Sequence, residues 1–132
     1  IMAAIGLTQL KVLDRDNAKR RAIAKKYREG FAAYLEKIKV VPVPENCETS
    51  QHLFQIIVED RDALLAYLNE NEIYPGVHYI ENTSYRMYSY AKGTCPRAEY
   101  ASNHVLSLPL HMRLTDEDIN LVISKVIEFV CK

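Results

Sequence analysis

Neither sign of charge predominates in this sequence. Lys plus Arg and Asp plus Glu number 17 each, so no long-range field is available to draw in nucleic acid, an anionic membrane or an acidic substrate. Cysteine is scarce and widely spaced: Cys47, Cys95 and Cys131 form no CxxC pair of the zinc or thioredoxin-like kind, and they read as reduced thiols. No apolar run reaches the length of a membrane span, and the opening residues lack the basic stretch and cleavage site of a signal peptide. A cytoplasmic location with no membrane or nucleic-acid partner is therefore expected. Glycine-rich phosphate loops, G-x-S-x-G and distinctive carboxylate pairs are missing as well.

What is present is a chain of 132 residues, 48% hydrophobic and 26% charged, enough for one core and too short for two ordinary domains. Between Met2 and Ile38 there is no proline, and Leu10, Leu13, Ile23, Tyr27, Phe31, Leu35 and Ile38 recur mostly three or four residues apart, which predicts one long helix. Such a helix would reach about 50 Å, against a radius of gyration of roughly 14 Å for a compact chain of this size, so part of it should overhang. The stretch Ile1 to Leu7 is apolar or small and offers no N-cap residue. Leaving it wet forgoes about 1.5–3 kcal/mol per large side chain. It is expected to pack against protein outside this chain, the chain starting inside a helix.

Short β-branched and aromatic runs predict strands over Lys39–Val43, His52–Glu59, Ile73–Tyr79 and Val105–Leu110. Asp60 is placed to cap a helix over Arg61–Asn71 with Leu64, Leu65 and Leu68 inward. Ile80–Cys95 reads as a long loop or a short irregular helix, and Pro96 opens a helix through Ser102. Thr115 and Asp118 match a capping box ahead of a last helix with Ile119, Val122, Ile123, Val126, Ile127 and Val130 inward. The order predicts an α+β fold: a long N-terminal helix, then a small, mostly antiparallel sheet with helices packed on one face.

The basic run Lys11, Arg15, Lys19, Arg20, Arg21, Lys25, Lys26 and Arg28 has no interleaved aromatics and reads as a solvated helix face. His52, His78, His104 and His111 have neither the i,i+4 nor the i,i+2 spacing of a metal-binding pair, so no metal is expected. His78 and His111 stand at or just past predicted strand ends, where loops converge on pockets. A functional role and a hydrogen-bonded structural one both stay open for each.

Four segments, in order, resemble one family: Ala3 to Tyr27 (AAIGLTQLKVLDRDNAKRRAIAKKY), Ser50 to Leu68 (SQHLFQIIVEDRDALLAYL), the Gly76-Val77-His78-Tyr79 turn, and Cys95 to Ile119 (CPRAEYASNHVLSLPLHMRLTDEDI). Together they are similar to the C-terminal third of the DegT/DnrJ-type nucleotide-sugar aminotransferases, fold type I enzymes that use pyridoxal 5'-phosphate (PLP). The resemblance implies a full-length, homodimeric enzyme that moves an amino group, typically from glutamate, onto a nucleotide-linked keto sugar in amino-sugar and cell-surface polysaccharide biosynthesis. Residues 1–38 would then be the helix leading from an absent large PLP-binding domain, and 39–132 the small domain. The Schiff-base lysine would lie upstream of Ile1, so no catalytic residue is assigned here, the cofactor-binding residues stay unknown, and this chain alone should be inactive and bind no PLP.

The resemblance further implies substrate-side roles for His78, as donor to a sugar hydroxyl or phosphate, and for Tyr79, as a shape and hydrogen-bond element. His111, in the Leu-Pro-Leu-His phrase, joins them, and for it and for His52, in the Ser-x-His-x-Phe phrase, a structural role stands beside the functional one. After Tyr79 the chain departs from the commonest family pattern, which leaves the sugar open. Asn82, Tyr85 and Arg86 are the candidates there for sugar or diphosphate contacts, with loop packing the alternative for Tyr85 and Tyr88. Two other readings are a self-standing α+β interaction or regulatory module without catalysis, and a family member turned dehydratase or regulator.

Overall fold

Helix dominates the proline-free stretch in the computed structural model, which describes residues 1–132. It is not one helix but two: α1 spans Met2–Leu10 and α2 spans Leu13–Phe31. At the break, Val12 takes φ −114°, and its N–H donates to Gln9 O, three residues back, at 3.1 Å. Two things favour a break there. Val12 is β-branched and stiff, and Asp14 and Asp16 lie in the first turn of α2, where a fresh helix N-terminus favours carboxylates. No residue of α1 is buried, so nothing in this chain holds it in line with α2.

The second half of α2 buries Ile23, Ala24, Tyr27 and Phe31. The helix ends at Phe31 rather than Ile38, because a 3-10 turn over Ala32–Tyr34 redirects the chain and the N–H groups of Lys37 and Ile38 both donate to Tyr34 O. The turn carries Ile38 into the core and leaves Leu35 exposed.

Three strands form an antiparallel sheet in the order β1 (Lys39–Val40), β2 (Phe54–Ile57), β3 (Val105–Leu108). All are shorter than their predicted runs; Pro42 and Pro44, which lack an N–H to donate, follow β1 closely. Phe54 opposes Leu108 and Ile56 opposes Leu106, and these four share one core with α2, with α3 (Arg61–Glu70) through Leu64 and Leu68, and with α5 (Asp116–Val130) through Ile119, Val122 and Val126. Asp60 holds the N-cap position of α3 without capping it: its φ −98°, ψ 57° is not the extended conformation a capping side chain uses, and no side-chain bond is made. Thr115 and Asp118 do form the capping box of α5. The remaining helix, α4 (Pro96–His104), runs straight into β3.

The predicted strand over Ile73–Tyr79 is not there. Only Gly76 pairs, across Ser107, by N–H···O bonds of 2.9 and 2.8 Å. Pro75 has no N–H, which limits how far the pairing can run toward Tyr74.

Helices α2 and α5 approach closely at Gly30. A Cβ built there would lie 2.7, 2.8 and 3.2 Å from three atoms of the Ile123 side chain. A mid-helix glycine costs about 1 kcal/mol against alanine, and overpacking costs about 1–3 kcal/mol. Gly30→Ala should therefore lower stability in urea unfolding despite its better helix propensity. With Ile123 cut back to alanine, the same change should raise it.

Candidate functional site

Alternation along the strands gives the sheet two different faces. Phe54, Ile56, Leu106 and Leu108 face the helices; Gln55, Ile57, Val105 and Ser107 point the other way. The segment after Gly76 lies over this second face. Gln55 Nε2 donates to the main-chain O of His78 at 2.6 Å. A Cβ on Gly76 would sit 2.5 Å from Cε1 of His78, so the imidazole occupies the space a side chain would fill. Its Nδ1 is sealed from solvent and has no partner, whereas Nε2 is not sealed. The ring meets Tyr79 edge-on at 5.1 Å between centroids.

Three residues further on, the Glu81 N–H donates to the hydroxyl of buried Ser102 on α4 at 3.2 Å. The Ser102 and Ser84 hydroxyls and its own backbone N–H hold the Glu81 carboxyl below its ordinary range. Between these anchors and α4, two 3-10 turns, Asn82–Ser84 and Arg86–Ala91, carry an outward display of polar and aromatic groups. Tyr79, Met87 and Tyr90 are 71%, 76% and 83% exposed. Asn82, Tyr85 and Arg86 are exposed too, and Arg86 makes no ion pair. Sequence reasoning missed Gln55, Glu81 and Ser102, whose bonds link residues 21 and 23 positions apart.

The structure brings His78, Tyr79, Asn82, Tyr85 and Arg86 onto one continuous segment, and it places the other histidines elsewhere. His111 lines a cleft of about 420 Å³ with Glu72, Tyr74, Pro109 and Asp118. In the antiparallel register of the Gly76–Ser107 bridge that cleft lies at the opposite end from His78. His111 Nδ1 accepts from the Arg113 N–H at 3.3 Å. His52 lines a separate cleft with Arg28, Cys47 and Thr49. His104 stacks on Tyr100 at 4.0 Å, and its Nδ1 lies 2.7 Å from Tyr100 O. No group of three His, Cys, Asp or Glu side chains gathers to hold a metal ion, and no helix is long and apolar enough to cross a membrane.

The small three-stranded antiparallel sheet packed with helices matches the fold of solved sugar aminotransferases. The chain belongs to the DegT/DnrJ/EryC1/StrS aminotransferase family, which it matches over residues 1–127. It is similar to S. venezuelae DesV, solved in complex with a ketimine intermediate, at 30% identity and a TM-score of 0.92 over 98% of this chain and 36% of that one. Spr1654 of Streptococcus pneumoniae, assigned as a sugar aminotransferase and solved in its PLP form, gives 28% identity and a TM-score of 0.88, again over 98% and 36%. An uncharacterized protein of Methanocaldococcus jannaschii is 29% identical over 98% of this chain and 36% of its own length. The chain thus spans little more than a third of the relatives it matches.

The residues described do not by themselves assemble a PLP site. Lys19 and Lys37 donate to the carbonyls of Met112 and Val130, Lys25, Lys26, Lys125 and Lys132 pair with carboxylates, and Lys11, Lys39 and Lys92 are exposed. No lysine is both enclosed and without a partner.

Two outcomes follow for the loop anchors. Ser102→Ala should raise the Glu81 pKa toward its ordinary 4.5, as read by side-chain NMR titration, and speed amide exchange over residues 82–91. Because the Glu81 pKa is depressed, the carboxylate's share of the anchorage is complete above that ordinary value and is lost as pH falls through the depressed one, while the main-chain bond to Ser102 does not titrate. Gly76→Ala should displace the His78 ring and shift its imidazole resonances; unchanged resonances would contradict the packing described.

Proposed function

We propose that this chain is the C-terminal part of a PLP-dependent aminotransferase that acts on a nucleotide-linked keto sugar, with glutamate as amino donor, in the cytoplasm and as a homodimer. Family membership and the sugar-aminotransferase neighbours support the class. The observation that carries the site is the segment His78–Ala91, held at His78 O and Glu81 and presenting unpaired polar and aromatic groups between. In this reading α1 leads from a large cofactor-binding domain that covers Met2, Ile5, Leu7 and Leu10, all bare here, and residues 39–132 form the small domain.

When bound, PLP supplies an electron sink for the carbanion of transamination, and the lysine that holds it belongs to the large domain. The residues of this chain bind and orient the sugar. His78 donates to a sugar hydroxyl or a phosphate oxygen. Tyr79 shapes the wall beside it. Arg86, with a planar fork of donors, suits the diphosphate, while Asn82 and Tyr85 suit sugar hydroxyls. His111 is kept in the substrate-side set on its family phrase, from its separate cleft.

The whole protein should absorb visible light, and borohydride should fix the cofactor covalently on a lysine preceding Ile1; a colourless, cofactor-free preparation sinks the proposal. Arg86→Ala should raise KM for the nucleotide sugar about 10- to 100-fold, in keeping with loss of a charge-assisted pair, and leave the glutamate half-reaction unchanged. Equal loss in both half-reactions would remove Arg86 from the sugar site.

A further inference from the structure

Two buried polar atoms on the second face of the sheet lack partners, and each belongs to a residue beside Gly76. Ser107 is 4% exposed and its hydroxyl bonds to nothing; Nδ1 of His78 is equally sealed and equally alone. Gly76 and Ser107 exchange both main-chain hydrogen bonds, so they are directly opposed, and Cβ positions in such a pair lie about 4.5–5.5 Å apart on the same face. At Gly76 that position is taken by the His78 ring, whose Nδ1 would lie 3.2 Å from a Cβ built there. The imidazole nitrogen and the serine hydroxyl are thus cross-strand neighbours.

A buried group without a partner forfeits its bonds to water for no return, and native interiors rarely leave one so. Here two such groups flank one bridge. The one other side chain directly opposite Ser107 is Gln55, and its Nε2 is already committed to His78 O. Rotation about the Ser107 Cα–Cβ bond moves Oγ among three staggered positions, and the bond proposed below takes the one that points toward the imidazole.

We propose that the Ser107 hydroxyl donates to Nδ1 of His78 and fixes the imidazole as the tautomer that carries its proton on Nε2. Nδ1 is then an acceptor and Nε2, the nitrogen not sealed, is an N–H donor. Ser107 is a positioning residue: it touches no substrate, and it determines which way the donor points and that a donor is there. This rests on the substrate-side reading of His78, for which a donor to a sugar hydroxyl or phosphate is required.

The test uses the protein labelled with nitrogen isotope at histidine. Wild type should show His78 in the Nε2–H form. Ser107→Ala should mix the tautomers, lower the unfolding midpoint because Nδ1 is left alone, and reduce kcat/KM for the sugar about tenfold; Ser107→Thr, which keeps the hydroxyl, should hold the tautomer. In a His78→Phe background, Ser107→Ala should no longer lower the midpoint. If Ser107→Ala leaves the His78 tautomer unchanged, as it would were the hydroxyl idle or bonded to Oε1 of Gln55, the proposal is overturned. A His78→Ala enzyme with full activity, beside an intact tautomer result, would instead remove the substrate-side role and leave the Ser107–His78 bond standing.

Discussion

The main-chain pair between Gly76 and Ser107 is the constraint on which the outer face of the sheet depends. It gives β3 a neighbour on each side, β2 on one edge and a single residue on the other, and all four β3 residues are buried. It also fixes where the chain crosses, so that the bare Cα of Gly76 lies beneath the His78 imidazole. Any side chain at Gly76 would compete with that ring for the same volume. The glycine is required by close approach, not by a left-handed turn.

The strand alternation then divides the work. Leu106 and Leu108 feed the helical core while Val105 and Ser107 support the loop side, so one short strand belongs to both. The helical side is closed by tight packing, with Tyr27 and Phe31 wholly buried. The loop side is closed by two hydrogen bonds, from Gln55 to His78 O and from the Glu81 N–H to Ser102, and Tyr79, Tyr85, Met87 and Tyr90 stay exposed. In the proposed reading this packed layer beneath an open loop would serve as a substrate wall, since the polar groups are positioned without being consumed by the fold.

Local signals were the legible ones. The capping box at Thr115 and Asp118, the stripe of α5 and the proline start of α4 each depend on residues a few positions apart, and the structure has them. The single long helix failed at Val12 because its continuity needed tertiary packing that this chain does not give α1. Ile73–Tyr79 has the composition of a strand, yet only the residue facing Ser107 pairs. For the site, His78 was marked by its place at the end of a predicted strand and by the family phrase around Gly76, and Tyr79 by that phrase alone. Gln55, Ser102 and Ser107 were invisible, because their importance comes from sheet register and cross-chain neighbours, and a polar residue on a short strand carries no mark of what it faces.

The interruption at Lys11 and Val12 bears on how this region would couple to the large domain of the proposed reading. An unbroken rod clamped at both ends passes twist and thrust from one end to the other. A rod with a joint passes much less, because the residues at the joint absorb the rotation in their own dihedral angles. In the proposed reading, a large domain docked on Met2–Leu10 would meet this joint before it met the sheet, so a tilt of that domain would be taken up first at Lys11 and Val12.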